Sequence, residues 1–384
     1  MRIALFDHMT TSNNPIGSCN LRLLRSECMR HDFTVFAVEF DNPCPDRITW
    51  VRVPAPTRPL FLLFIVYHVM APLMYALHRL RTRSAFDAVQ VIESKLVMGD
   101  IAYTHFCHRS YLARHWNASR PPGVRGAARW LDHWLHALLE PLTYRRVSRI
   151  VVPSHGLARE IAETYPATAE KVSVIVNAVN TKAMVRPKEF DRAAWRAGLG
   201  VKPSDHVLVF VALGQFERKG LPQVLKALHA IDRDDLRLVV IGGTPQLIDA
   251  YRAIARSLHI ADRVTFAGFQ RDVKPYYWAC DAFIMPSQYE AFSLVALEAA
   301  AAGMVTIVPR LHGVEEYATD GVSAIIIEPT DEGTTAGIRR LLDLKPSERT
   351  KMGDAAQAQV QQYDEERFMG AWRVFFDGVD GARA

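Results

Sequence analysis

The stretch DAFIMPSQYEAFSLVALEAAAAG, residues 281–303, decides how the chain folds. "DAFIMPS" is a short apolar run suited to a buried strand, "QYEAF" is a turn, and "SLVALEAAAAG" is an alanine-rich helix that Gly303 ends. Strand, tight turn and helix in that order make half of a crossover unit, which implies a parallel sheet. The same grammar recurs on both sides. In the first half, strands are predicted at 2–6, 34–40, 88–94, 101–106, 149–154 and 172–178. The second half restarts the series at 206–214, 236–243, 263–268, 281–287, 304–310 and 323–329, with helices such as 221–231 and 245–258 between them. The segment around 180–203 is polar and proline-bearing and marks a boundary. The reading is an α/β protein of two Rossmann-like domains, 1–180 and 181–365, facing each other across a cleft, with 366–384 a helix that packs back on the first domain.

At 384 residues the chain exceeds the size at which one core stops growing, and its 49% hydrophobic and 23% charged residues fit a globular protein. Five scattered cysteines without a C-x-x-C pair suggest neither a disulfide framework nor a zinc site, and a reducing cytosol is expected. Residues 1–180 carry 21 basic against 14 acidic side chains, whereas 181–384 carry 25 against 27. The first half therefore suits an anionic partner, such as a membrane surface or a phosphorylated lipid. Dispersed arginines and the absence of a zinc-finger or RNP motif argue against nucleic acid. The first apolar run stops at Asp7, which reads as a strand and not as a signal peptide. Residues 60–77 are apolar but interrupted by His68 and Pro72. The leading expectation there is a buried helix pair bent at Pro72, and the rivals are a helix lying in a membrane interface beside Arg79, Arg81 and Arg83 and, last, a true membrane span, for which the run is just too short.

Ligands of open parallel sheets bind beyond the carboxyl ends of the strands, and four such places carry chemistry. After the first strand, Gly17 opens a helix whose amides could meet a phosphate, although such a glycine is more often plain turn geometry. His105, His108 and Arg109 follow a strand. A metal there would want a further ligand that the local sequence lacks, so His108 is taken as a ligand contact instead. In LGQFERKGL, residues 213–221, Gly214 ends a strand and Arg218 and Lys219 precede Gly220. Two cations on that turn suit a diphosphate, against the commoner alternative of a solvated charged turn. In the opening stretch, the amides of Phe292, Ser293 and Leu294 form an anion site at a helix N-terminus. Glu290 beside it would repel a phosphate unless it points at sugar hydroxyls, and Glu298, two turns on, can accept both hydrogen bonds of a ribose diol. Either glutamate alone would pass for a surface residue. With Arg218 and Lys219 they describe a nucleoside diphosphate sugar.

These motifs, E-x7-E at Glu290 and Glu298 together with GQFERKG, VPSHGLAREI (152–161), VSVIVNAVN (172–180) and HGVEEYATDG (312–321), resemble glycosyltransferase family 4, retaining enzymes of the GT-B fold. The resemblance covers most of the chain. It implies that Glu298 binds the ribose, Glu290 contacts the donor sugar, and Arg218 and Lys219 clamp the diphosphate with amides at Gly17 and Phe292–Leu294. It also places His108 near the transferred sugar and Gly268, with the GFQRD loop, at the base. The chain departs from the family pattern at Gly214-Gln215, Ile16-Gly17 and Asn177-Ala178. The implied activity is retaining transfer of a hexosyl group from a UDP- or GDP-linked donor to a saccharide or polyprenyl-linked acceptor, in cell-surface polysaccharide or glycolipid synthesis. No metal or other cofactor is expected, since Asp232-Arg233-Asp234 falls before a strand, at the wrong end of the sheet. The expected place is the cytoplasm, with peripheral contact to the anionic inner face of the plasma membrane. The rivals are a nucleotide-sugar epimerase and a non-catalytic nucleotide-sugar-binding protein.

Overall fold

The computed structural model describes residues 1–121 and 123–381. Two compact units share the chain: residues 1–117, 121–177 and 366–384 form the first, and 118–120 with 178–365 form the second.

In the first unit a seven-stranded sheet runs in the order Thr49–Arg52, Asp32–Ala37, Arg2–Phe6, Ala88–Ile92, Ile101–Tyr103, Arg149–Val152, Val172–Val174. Every adjacent pair is parallel. The central strands are buried on both faces, which is why they read as unbroken apolar runs and not as alternating ones. Edge strand Thr49–Arg52 is largely exposed and polar, and it escapes a search for apolar runs. The helix Glu365–Gly381 completes this unit. Its Trp372 is wholly buried and meets Tyr103 at 4.8 Å, Phe376 packs on Phe33, and Arg30 pairs with Asp377 at 2.9 Å.

The second unit holds six parallel strands in the order Val264–Gly268, Leu236–Ile241, His206–Val211, Ala282–Ile284, Val305–Pro309, Ile325–Ile327. Sequence neighbours such as Val264–Gly268 and Ala282–Ile284 sit on opposite sides of the central strand His206–Val211. That reversal is the switch point at which the loops part and leave room for a ligand. Helices Leu221–Ile231 and Pro245–Ser257 follow the central strand and its neighbour, and both carry proline in the first turn, where no backbone donor is lost.

One expectation needs correction. Residues 60–82 form one helix, Leu60–Thr82, that runs through Pro72. Leu63, Phe64 and Tyr67 pack before the proline and Tyr75 meets Phe6 and Phe36 edge-on after it, so both flanks of the proline are held by contacts. The helix is also far from buried: only 22% of its most apolar eighteen-residue window lies inside the protein. The five cysteines are all free thiols, and the fold brings those of Cys28 and Cys44 to 3.0 Å.

Candidate active site

The strand His206–Val211 ends in a tight turn. Gln215 takes a left-handed backbone (φ 56°), Phe216–Lys219 makes one helical turn, and Gly220 (φ 85°) leads into the next helix. A side chain at Gly220 would place its Cβ 2.3 Å from the Pro286 carbonyl, so glycine is what lets this turn lie against the loop after strand Ala282–Ile284. The two loops thus bring Arg218 and Lys219 to Glu290. The Lys219 ammonium is ion-paired with Glu290 Oε1, which also accepts from Ser287 Oγ at 2.7 Å. Arg218 donates to the Tyr289 carbonyl at 2.6 Å and to Gln215 Oε1 at 2.8 Å, and its guanidinium stands 3.9 Å from Glu290. Burial pushes the Glu290 carboxyl up, but Lys219, Arg218 and the hydrogen bonds outweigh it and hold the group below its ordinary value. Burial, with Arg218, lowers the Lys219 ammonium despite the pull of Glu290. Gly214 has open space where a Cβ would stand, so a ligand could approach its backbone, although nothing there demands glycine.

Helix Leu294–Ala301 begins just after Glu290. Its N-cap, Ser293, is buried, makes no capping bond, and leaves its hydroxyl without a partner. A buried hydroxyl at a helix N-terminus, beside free backbone N–H groups, is placed to meet an anion. Farther along, Glu298 accepts from the Tyr277 hydroxyl at 3.2 Å and lines a pocket of about 150 Å³. Val211, Ala212, Ile241, Phe269 and Gln270 share that pocket, which opens at the switch point of the sheet. Gly268 (φ 68°) ends the strand that delivers Phe269, and its carbonyl accepts from Gly242 at 2.7 Å. An apolar slot with one carboxylate on its wall suits a nucleoside, with the base between hydrophobic side chains and the ribose diol on Glu298. Asp232 and Arg233 lie at the opposite end of the sheet in an exposed turn.

In the first unit Gly17 stands where a Cβ would meet the Thr11 carbonyl at 2.5 Å, so close packing of its own loop explains the glycine. His108 is buried in a cluster that the sequence did not reveal. Its Nδ1 lies 2.9 Å from His133 Nδ1, its ring stacks on His136 at 4.2 Å, and its Nε2 has no partner. Burial first, then His136, His133 and Lys95, hold its imidazole well below the ordinary range, so it is neutral near pH 7. Its backbone N–H donates to Glu140 at 2.5 Å, and burial raises that carboxyl to about 7. Beside the cluster, Lys95 donates to Asp7 at 2.9 Å and stands 3.5 Å from Glu93. Asp7, Glu93, Lys95, His133 and His136 were all missed. The available signal was position, since Asp7 and Glu93 directly follow strands.

Glu93, His108 and His136 offer ligand atoms within 4.8 Å of one another. The His108 and His136 imidazoles are stacked, 9° from parallel. Lys95 already neutralises Glu93. The trio packs as a buried polar cluster beside Lys95.

Comparison with known proteins identifies the family and the fold. Residues 191–359 match the family model of glycosyl transferases group 1, and residues 22–183 match that of glycosyltransferase family 4. A glycosyltransferase of Methanocaldococcus jannaschii is 30% identical over 327 residues, covering 81% of this chain and 80% of its own. Among solved structures, WaaG, a glycosyltransferase involved in lipopolysaccharide biosynthesis, superposes with a TM-score of 0.78 at 17% identity, over 97% of this chain and 99% of its own. Anabaena HepE in complex with UDP-glucose does so at 0.73 and 16%, over 98% of this chain and all of its own. With two parallel α/β units and matches to the family across both, the chain belongs to glycosyltransferase family 4 and has the GT-B fold.

Proposed function

We propose that the protein is a retaining hexosyltransferase that uses a nucleoside diphosphate sugar and glycosylates a saccharide or lipid-linked saccharide in cell-surface polysaccharide or glycolipid synthesis. The observation that carries the donor half is the convergence of Arg218, Lys219 and Glu290 at the carboxyl end of the central strand, beside the pocket that Glu298 lines. In this reading the base enters the pocket by Phe269 and Gln270, and the ribose hydroxyls donate to Glu298. The diphosphate lies over the amides of Phe292, Ser293 and Leu294 with the Ser293 hydroxyl, while Arg218 and Lys219 meet the charge that grows on the departing phosphate. That electrostatic role requires no metal. All the contacts described for Glu290 fall on Oε1, and its other oxygen is assigned to the hydroxyls of the hexose. No carboxylate here is assigned as a covalent nucleophile. The acceptor attacks from the face that the diphosphate leaves, handing its proton to the departing phosphate, and configuration is retained. The bound UDP-glucose of the Anabaena neighbour favours uridine over guanosine as the first base to try.

The acceptor is assigned to the basic first unit, with the protein peripheral at the inner face of the plasma membrane, as the role of WaaG in lipopolysaccharide synthesis encourages. The experiment is transfer from labelled UDP- and GDP-hexoses, with and without lipid-linked saccharides from a cell extract. Acceptor-dependent product with the donor's anomeric configuration supports the reading. Inverted product, or conversion of the donor alone as by an epimerase, contradicts it.

A further inference from the structure

Two neighbouring helices of the first unit turn apolar faces to solvent. Along Leu60–Thr82 the outward positions are Leu62, Ile65, Val69, Leu73, Leu77 and Leu80, spaced three or four apart on one stripe. Val69 is 66% exposed and Leu73 48%. The opposite stripe is held to the unit: Leu63, Phe64, Tyr67 and Ala71 are buried, and the Tyr67 hydroxyl donates to the Phe36 carbonyl at 2.6 Å. Helix Gly123–Arg146 packs beside it, with Phe64 and His136 rings 4.4 Å apart. Its outward stripe is Trp130, Trp134, Leu138 and Leu142, and the two indoles stack at 6.2 Å. Outward stripes of surface helices are ordinarily polar, and a contiguous apolar face of this kind marks an interaction site.

Charge identifies the partner. Among the described residues, the exposed charged side chains on these helices are Arg79, Arg81, Arg125, Arg145 and Arg146, all basic and all toward helix ends. The two acidic residues, Asp132 and Glu140, are partly and fully withdrawn from solvent. Leucines and paired tryptophans bounded by arginines match the layering of an anionic bilayer surface, with hydrocarbon in the middle and phosphates around it. A second copy would set one arginine-rimmed face against another.

We infer that the outward faces of Leu60–Thr82 and Gly123–Arg146 form a monotopic docking surface for anionic lipid. The helix Leu60–Thr82 is long and apolar enough to span a bilayer, with mean hydropathy 2.1 over its most apolar eighteen residues, but its inner stripe belongs to the core and cannot leave without opening it. The surface deepens the proposed role of the first unit in reaching a lipid-linked acceptor and rests on that reading only for its purpose.

The test is flotation of the full chain with vesicles of equal parts phosphatidylglycerol and phosphatidylcholine, without sugar or nucleotide. The protein should float with these, float poorly with phosphatidylcholine alone, and be released by alkaline carbonate. Replacing Val69 and Leu73 by Glu should weaken partitioning at least about ten-fold, since two exposed aliphatic side chains lose their insertion. Arg79→Ala with Arg81→Ala should weaken it about five-fold per arginine. Unchanged thermal midpoints would show that the variants still fold. In the wild type, brominated acyl chains should quench fluorescence that Trp130→Phe with Trp134→Phe removes. Indifference to anionic lipid, carbonate resistance, or self-association that the glutamates abolish would each overturn the proposal. Vesicle binding without transfer would instead sink the acceptor reading and leave the surface standing.

Discussion

Lys219 and Glu290 lie 71 positions apart and form an ion pair inside the second unit, with side chains 17% and 7% exposed. Removing one partner of such a pair strands the other charge, while neutral replacement of both can be tolerated. Lys219→Ala is therefore expected to destabilise the protein by about 3 kcal/mol. The double variant Lys219→Met, Glu290→Gln should recover most of that stability and still fail to transfer sugar. Denaturant unfolding set beside a transfer assay checks both halves. Recovery of activity with stability would reduce the pair to a structural role.

Gly220 has a similar double demand, a left-handed backbone and a neighbouring carbonyl where a Cβ would stand. Gly220→Ala is expected to cost about 2 kcal/mol or more and to weaken nucleotide binding, because it pushes the Pro286 loop away from Lys219. A variant with wild-type stability and affinity would show that the turn yields easily.

The buried cluster of the first unit predicts a pH dependence. His8, His105, His108 and His136 are all held below the ordinary 6.5, by burial foremost and then by neighbours such as Lys95, and His105 falls to about 3. His68 is lowered by burial as well. A depressed imidazole takes its proton first in the unfolded chain, so stability is full above 6.5 and declines as pH falls below it. Glu140, Asp132 and Glu93 act in the opposite sense, because burial raises their carboxyls, the first to about 7 and the second to about 6. Five imidazoles against three carboxyls leave a net loss on acidification, roughly 2 kcal/mol per pH unit near pH 5.5. Urea midpoints measured downward from neutral pH should decline, and a flat or rising profile would contradict the assignment.

Much of the fold was legible because both sheets are parallel and buried, so that each central strand is a compact apolar run. The meeting of Arg218 and Lys219 with Glu290 was legible for a related reason: Arg218 with Lys219, and Glu290 with Glu298, are each local in sequence, and strand order brings the two turns together. What stayed hidden lacks such locality. Lys95, Asp7, Glu93 and His136 come from two strand ends and a helix, and no spacing announces their meeting. Pro72 misled for a different reason, since its cost to a helix is a local rule that packing on both flanks overrides.

The central claim, that the second unit holds a nucleoside diphosphate with Glu298 on its ribose, is tested most directly by calorimetric titration of UDP and GDP, and of their 2′- and 3′-deoxy analogues, into the wild type and Glu298→Ala. One nucleotide should bind the wild type, Glu298→Ala should weaken it roughly ten- to a hundredfold, and removal of a ribose hydroxyl should cost the wild type far more than the variant. Equal losses from the deoxy analogues in both proteins, or unchanged affinity in Glu298→Ala, would contradict the account and return Glu298 to a structural role beside Tyr277.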